Sequence, residues 1–208
     1  MEIADYLSKR RFWIFDLDGT ITIAIHDFDA IRKELGLLEG MPIVETIKSL
    51  PENESLILKE KLNRIEEKIA KKSIPAPGIR DLLENLYQRN YEMGILTLNS
   101  KENAFLTLES IGLSKFFKKD LVLGRWCSEP KPSPEGVLKM LKIWKAKADQ
   151  ALIVGDYLYD LQVGRAARVA TVHVDRSGSF LWPNLADIKV KSLNELSKLL
   201  KHSLKYDC

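Results

Sequence analysis

The chain has 208 residues, 45% of them hydrophobic and 29% charged, and its 32 Lys+Arg against 29 Asp+Glu leave a formal net charge of +3. That composition suits a soluble globular protein of one domain plus an insertion, large enough to bury its core without disulfides or a structural metal. No apolar run nears the ~18 residues of a membrane span, no secretory signal is visible in Met1 to Arg11, Cys127 and Cys208 lie outside zinc-ligand spacing, and basic residues alternate with acidic ones without interleaved aromatics, so we expect a cytoplasmic protein with reduced thiols and neither membrane nor nucleic-acid partners.

In chain order, the first β-rich apolar run is Phe12-Trp-Ile-Phe15, which ends in Asp16-Leu17-Asp18-Gly19-Thr20. From about Ile23 to Ser73 there is no convincing strand but at least two helical patterns, Phe28 to Leu38 and Leu56 to Ala70, separated by Pro42 and by Pro51. His26, Asp27, Phe28 and Arg32 open the first of these. Two readings stand for them: a substrate-recognition patch, or Asp27 as N-cap, Phe28 in the core of the insertion and Arg32 in water. Ile74-Pro-Ala-Pro-Gly78 is a stiff return linker.

The remaining chain alternates strand and helix. Leu82, Leu83, Leu86 and Tyr87 mark a helix, and Met93 to Leu96 a strand ending in Thr97, with Asn99 and Ser100 behind it. Phe105, Leu108 and Ile111 mark a second helix with Gly112 as its cap. After the run Leu121 to Leu123, Lys131 stands between Pro130 and Pro132, and Ser133-Pro134 reads as the N-cap and first residue of a helix carrying Val137, Leu138, Leu141 and Trp144. Ala151 to Val154 runs into Gly155-Asp156, with Asp160 four residues on. Ala170 to Val174 carries His173, which reads as a satisfied core histidine. Trp126, Trp144 and Trp182 read as packing residues, and Lys191, Lys198, Lys201 and Lys205 as the solvated face of a C-terminal helix. The pattern predicts an α/β fold: a Rossmann-like parallel sheet with helices on both faces, spanning 1–21 and 75–208, plus a small all-helical insertion after the first strand over 22–74.

Four predicted strands thus end in polar residues at one edge of one sheet, where open α/β sheets place their ligands. Taken singly, Asp16-x-Asp18-Gly reads equally as a turn, Thr97 and Asp156 as helix caps, and Lys131 as a surface charge. Together they converge on one crevice. Carboxylates ~4 Å apart repel by about 4 kcal/mol per pair at an effective dielectric near 20, so such a crevice needs cations. Lys131 is one, and an all-oxygen ligand set favours Mg²⁺ for the rest. Neither a G-x-x-x-x-G-K-[ST] loop nor a G-x-G-x-x-G turn is present, which argues against an NTPase or a dinucleotide enzyme.

The order and spacing of Asp16-Leu-Asp18-Gly-Thr20, Thr97, Lys131 and Gly155-Asp156-x-x-x-Asp160 resembles the haloacid dehalogenase superfamily, and the insertion resembles the α-helical cap of its phosphoglycolate phosphatase-like members. The resemblance implies a Mg²⁺-dependent phosphatase acting on a small phosphorylated metabolite, as a monomer or weak homodimer. It makes Asp16 the nucleophile that carries an aspartyl-phosphate, Asp18 the general acid and base, and Thr97 and Lys131 the phosphate-binding pair. Asp16, the Asp18 carbonyl and Asp156 become the Mg²⁺ ligands, with Asp160 orienting Lys131 or a metal-bound water. Family members that cleave carbon–halogen bonds lack the second Asp, so Asp18 points to phosphoryl transfer. A phosphomutase acting on a sugar phosphate shares every motif, and a non-catalytic phosphate-binding scaffold would have lost Asp16 or Lys131. The cap is expected to close over the crevice, hinging near Thr22 and Ile74-Pro75. Two departures stand out: many relatives place Asn directly after the Thr, whereas Leu98 intervenes before Asn99, a candidate substrate contact; and Ala167-Arg168 stands where the family often reads Ala-Gly, a change expected to be structural.

Overall fold

The computed structural model describes residues 3–202, so Lys205 and Cys208 lie outside the described residues. The elements run α1 (Ile3–Ser8), β1 (Phe12–Phe15), α2 (Phe28–Leu35), α3 (Ile43–Ser49), α4 (Glu52–Ala70), α5 (Ile79–Gln88), β2 (Glu92–Leu96), α6 (Lys101–Ser110), β3 (Val122–Leu123), α7 (Glu135–Trp144), β4 (Ala151–Gly155), α8 (Leu158–Ala166), β5 (Ala170–Val174), β6 (Ile188–Val190) and α9 (Leu193–His202). The strands form one parallel sheet in the order β3-β2-β1-β4-β5-β6. The order reverses between β1 and β4, the point at which such sheets open a crevice outside their carboxyl ends. Register brings the two halves of that crevice level, because Phe15 pairs with Ile95 on one side and Val154 on the other.

Strand alternation divides the core between the two faces. Trp13 and Phe15 of β1, with Leu152 and Val154 of β4, pack with Leu82 and Leu86 of α5, Leu108 of α6 and Leu196 of α9. Ile14 and Ile153 point the other way, onto Val137 and Met140 of α7 and Val163 of α8. These side chains are fully buried, each contributing roughly 1.5–3 kcal/mol by leaving water. A sheet covered on both faces explains why its strands read as unbroken apolar runs.

Helices α2, α3 and α4 close a separate apolar cluster of Ile31, Leu35, Ile47, Leu62 and Ile65. Its two connections to the sheet run side by side: Thr22 bridges Pro75 in antiparallel fashion, the Ile23 N–H donates to the Ile74 carbonyl at 2.9 Å, and the Ala76 N–H to that of Ile21 at 2.8 Å. The insertion is therefore mounted on a paired ribbon just beyond the end of β1. No helix among the described residues is long and apolar enough to cross a membrane.

Several elements differ from the sequence expectation. α3 occupies the stretch after Pro42 that reads as a separator, since only Val44 and Ile47 of its seven residues are buried and the apolar stripe is too short to register. β6 is equally brief, with Ile188 and Val190 buried around an exposed Lys189. α7 begins at Glu135 with Pro134 as the residue before it. Ser133 reaches the Glu135 N–H only at 3.4 Å, so the expected serine cap is displaced by one residue. Lys191 precedes α9 and is exposed, as are Lys198 and Lys201 on that helix.

Candidate active site

The carboxyl end of β1 delivers Asp16 directly into the crevice, its N–H held by the Val154 carbonyl of β4 at 2.9 Å. Gly19 follows with φ +99°, and a Cβ there would fall 2.3 Å from Asp156 Oδ2. Only glycine lets the first loop and the end of β4 approach so closely. Thr20 Oγ1 then donates to Asp156 Oδ1 at 2.9 Å. The cap of α8 is Tyr157, not Asp156: the Tyr157 N–H donates to Asp160 Oδ2 at 3.1 Å, which frees Asp156 to face the site.

Lys131 is buried and unites the opposite walls of the crevice. Its Nζ donates to Asp16 Oδ1 and to Asp160 Oδ1, each at 2.6 Å. Burial alone would depress its ammonium, but the two carboxylates and their hydrogen bonds outweigh that and hold its pKa above the ordinary value. The acids shift in the same direction. Burial pushes Asp16 well above the carboxylate range despite Lys131, with Asp160, Asp156 and Asp18 adding repulsion. Asp156 is pushed up to about 6 by burial and then by the charge of Asp160.

Asp18 sits apart from that cluster. Asn99 Nδ2 donates to its Oδ2 at 3.3 Å, and His26 Nδ1 lies 3.8 Å from its Oδ1. Burial raises its pKa, with His26 and the Asn99 amide pulling the other way. Thr97 Oγ1 accepts from the Asn99 N–H at 3.0 Å, a local turn that leaves the hydroxyl proton to donate elsewhere. Ser100, one residue further, caps α6 through the Asn103 N–H.

The structure therefore brings together Asp16, Asp156, Asp160, Lys131 and Thr20, and beside them Asp18, Asn99, Thr97 and His26. It does not bring Asp27 or Arg32 to the carboxylates. Asp27 caps α2 by accepting from the Ala30 N–H, as the structural reading expected. The other parts of that reading need correction: Arg32 is not in water but donates to the Met41 carbonyl at 2.8 Å and to Asp29, and Phe28 is 55% exposed, stacked on His26 instead of filling the insertion's core. His173 is buried but only half satisfied, with Nε2 3.2 Å from the Asp156 carbonyl and Nδ1 without a partner among the described residues. Its ring lies against Phe180 and Trp182, while Trp144 packs on Phe12 and Trp126 lies beneath Lys59 and Arg125.

A divalent cation fits this arrangement. Carboxylate oxygens of Asp16, Asp156 and Asp160 lie within 4.8 Å of one another, and all the donors are hard oxygens suited to Mg²⁺. The Asp18 carboxylate is not in that group, so any part it takes falls to its main-chain carbonyl. Two residues escape the sequence reading. Thr20 stands inside the first motif without a role of its own, and Arg125, two residues past β3 at the same sheet edge, looks like any other loop cation; its position after a strand end is the available signal.

The model of the family described as haloacid dehalogenase-like hydrolase matches residues 13–174. A phosphoglycolate phosphatase of Aquifex aeolicus is 28% identical over 93% of this chain and 98% of its own length. A pyrophosphatase of Oceanobacillus iheyensis is 29% identical over 79% of this chain and 83% of its own. Among solved structures, a β-phosphoglucomutase from Clostridium difficile superposes with a TM-score of 0.76 at 22% identity, over 95% of this chain and 98% of that one, a likeness of fold.

Proposed function

The chain belongs to the haloacid dehalogenase-like hydrolases and is a phosphatase, and from that premise we propose that it hydrolyses a small phosphomonoester, with Mg²⁺, through an aspartyl-phosphate on Asp16. The observation that carries this reading is the Lys131 ammonium held between Asp16 and Asp160 at 2.6 Å beside a trio of carboxylates. Lys131 engages Asp16 Oδ1, and in our mechanism Oδ2 attacks phosphorus. The Oδ2–P bond forms as the bond from phosphorus to the ester oxygen breaks, and Asp18 gives that oxygen its proton. Burial that raises Asp18 favours the protonated form this step needs. Asp18 then takes a proton from water, whose oxygen displaces phosphate from Asp16. Thr97 and Lys131 bind the transferring oxygens and offset charge as it develops.

Asp16, Asp156 and the Asp18 carbonyl would hold the Mg²⁺, which supplies neutralising charge for the phosphoryl oxygens. Asp160 acts through Lys131. The insertion over 22–74 serves as a cap that closes the crevice against water, moving on the Thr22/Pro75 ribbon, with His26 Nδ1 3.8 Å from Asp18 Oδ1. We place the reaction in the cytoplasm, where the free thiol of Cys127 stays reduced. The test is phosphate release from a panel of alkyl and aryl phosphomonoesters and pyrophosphate, with Mg²⁺ or with EDTA. Wild type should release phosphate only with Mg²⁺, and Asp16→Asn should fall by at least about 10³-fold. Full activity in Asp16→Asn overturns the mechanism. A sugar phosphate added to the panel and returned isomerised, in place of free phosphate, marks a mutase.

A further inference from the structure

A buried ion pair joins the insertion to the core at a point the proposed mechanism leaves unused. Arg125 is 1% exposed and Glu66, on α4, 7%. Arg125 Nη1 donates to Glu66 Oε1 at 2.6 Å and Nη2 to Oε2 at 2.8 Å, a two-pronged pairing; Nη2 also donates to Asn63 Oδ1 at 3.1 Å. Asn103 of α6 completes the enclosure, donating to Glu66 Oε2 at 3.3 Å and to the Asn63 carbonyl at 3.2 Å. Two apolar side chains would bind cap to core without the desolvation such a pair incurs, so stability is a poor reason for it; what a buried pair supplies is a single registration.

The other contacts of Arg125 show what is registered. Its Nη1 also donates to the Leu98 carbonyl at 2.9 Å, and its backbone N–H to the Asn99 carbonyl at 3.0 Å. Gly124 lets the two segments meet, since a Cβ there would fall 2.5 Å from the Lys101 nitrogen and 2.7 Å from the Asn99 carbonyl oxygen. The Leu98–Asn99 turn is thus gripped on both carbonyls by one residue, and from that turn Asn99 Nδ2 reaches Asp18. Asn99, two residues past Thr97 and with its own N–H on Thr97 Oγ1, presents its amide from this turn to the acid. We propose that Arg125 is a positioning residue of the reaction: held by Glu66 and Asn63 of the insertion, it fixes the turn that sets Asn99 against Asp18, so that the proton donor is aligned when the insertion is seated. The inference rests on Asp18 acting as the general acid.

An alkoxide leaves only with a proton, whereas p-nitrophenolate leaves without one, so a misaligned acid shows itself as a dependence on the leaving group. The experiment measures kcat/KM for p-nitrophenyl phosphate and for the best-cleaved alkyl ester of the panel, in wild type, Arg125→Lys, Glu66→Gln, Asn99→Ala and Asp18→Asn, each checked for folding by circular dichroism. Arg125→Lys should lose about tenfold or more on the alkyl ester and under about threefold on the aryl ester. Asp18→Asn should show the same bias more strongly, by about 10²-fold or more. In the double variant Arg125→Lys/Asn99→Ala, measured alongside, the added Arg125→Lys change should cost little beyond Asn99→Ala alone. Glu66→Gln keeps the side chain's size and should give a weaker form of the bias, which serves if Arg125→Lys does not fold. Equal losses on both esters in Arg125→Lys and Glu66→Gln, with the bias present in Asp18→Asn, overturn the positioning role alone. No bias in Asp18→Asn removes the general-acid reading and this inference with it.

Discussion

Lys131 is the one cation that the described part of the crevice sets against both Asp16 and Asp160, and removing either kind of charge has opposite effects. Replacing Lys131 by Met leaves two buried carboxylates facing each other without compensation. Breaking a buried pair from one side costs about 3–5 kcal/mol, so Lys131→Met should both abolish phosphate release and lower the melting temperature in EDTA. Asp16→Asn works the other way. The folded protein holds Asp16 well above its usual pKa because its charged form is costly there, and an uncharged amide escapes that cost. The variant should be inactive yet melt no lower than wild type without metal. A drop of several degrees, seen by differential scanning fluorimetry, would show that the Lys131–Asp16 attraction outweighs the burial of Asp16.

The end of α8 offers a prediction at the scale of one element. Arg168 adopts φ +58°, and its N–H donates to the Arg165 carbonyl at 3.1 Å while the Val169 N–H reaches that of Gly164. This is a helix closure in the left-handed region, which costs a side-chain-bearing residue about 1–2 kcal/mol that glycine avoids. Arg168→Gly should therefore stabilise the fold by about 1 kcal/mol, raising the melting temperature by roughly 2–4 °C, with activity unchanged. A dipeptide is enough to suggest that this departure is structural; the reason for it lies in the backbone angle. The same division runs through the elements. The central strands and the polar residues at their ends are legible because burial on both faces writes an unbroken apolar run and then stops it with a carboxylate or hydroxyl. α3 and β6 are not, because two buried side chains apiece leave no period. Phe28 is misplaced because an aromatic at the start of an amphipathic helix looks like core, and only the stacking on His26 explains its exposure. Arg125, Glu66, Asn63 and Asn103 read as ordinary polar residues, since their meeting depends on how the insertion lies on the sheet, which no local pattern encodes.

At the scale of the whole molecule, the buried carboxylates make stability depend on pH and, on the proposed function, on Mg²⁺ as well. Asp156 titrates near 6 in the folded chain, above its ordinary value, because burial and the neighbouring Asp160 charge disfavour its ionised form. A folded-state pKa above the unfolded one means that the native protein binds the proton more tightly. The stabilisation is complete below the ordinary carboxylate value and is lost as pH rises through about 6; raising a carboxyl from its ordinary value to that point corresponds to roughly 3 kcal/mol. In EDTA, Asp156→Asn should match wild type near pH 4 and exceed it in stability at pH 7.5, a comparison that cancels the titration of distant groups. On the proposed function, Mg²⁺ should invert the trend. Its binding needs the ionised carboxylate, so it must expel a proton below pH 6 but not above. The rise in melting temperature on adding Mg²⁺ to wild type should accordingly be small at pH 5 and grow through pH 6 to a plateau by pH 7.5, and it should be largely absent in Asp156→Asn. A Mg²⁺ increment that stays flat across that range, or survives in the variant, would place the cation away from Asp156.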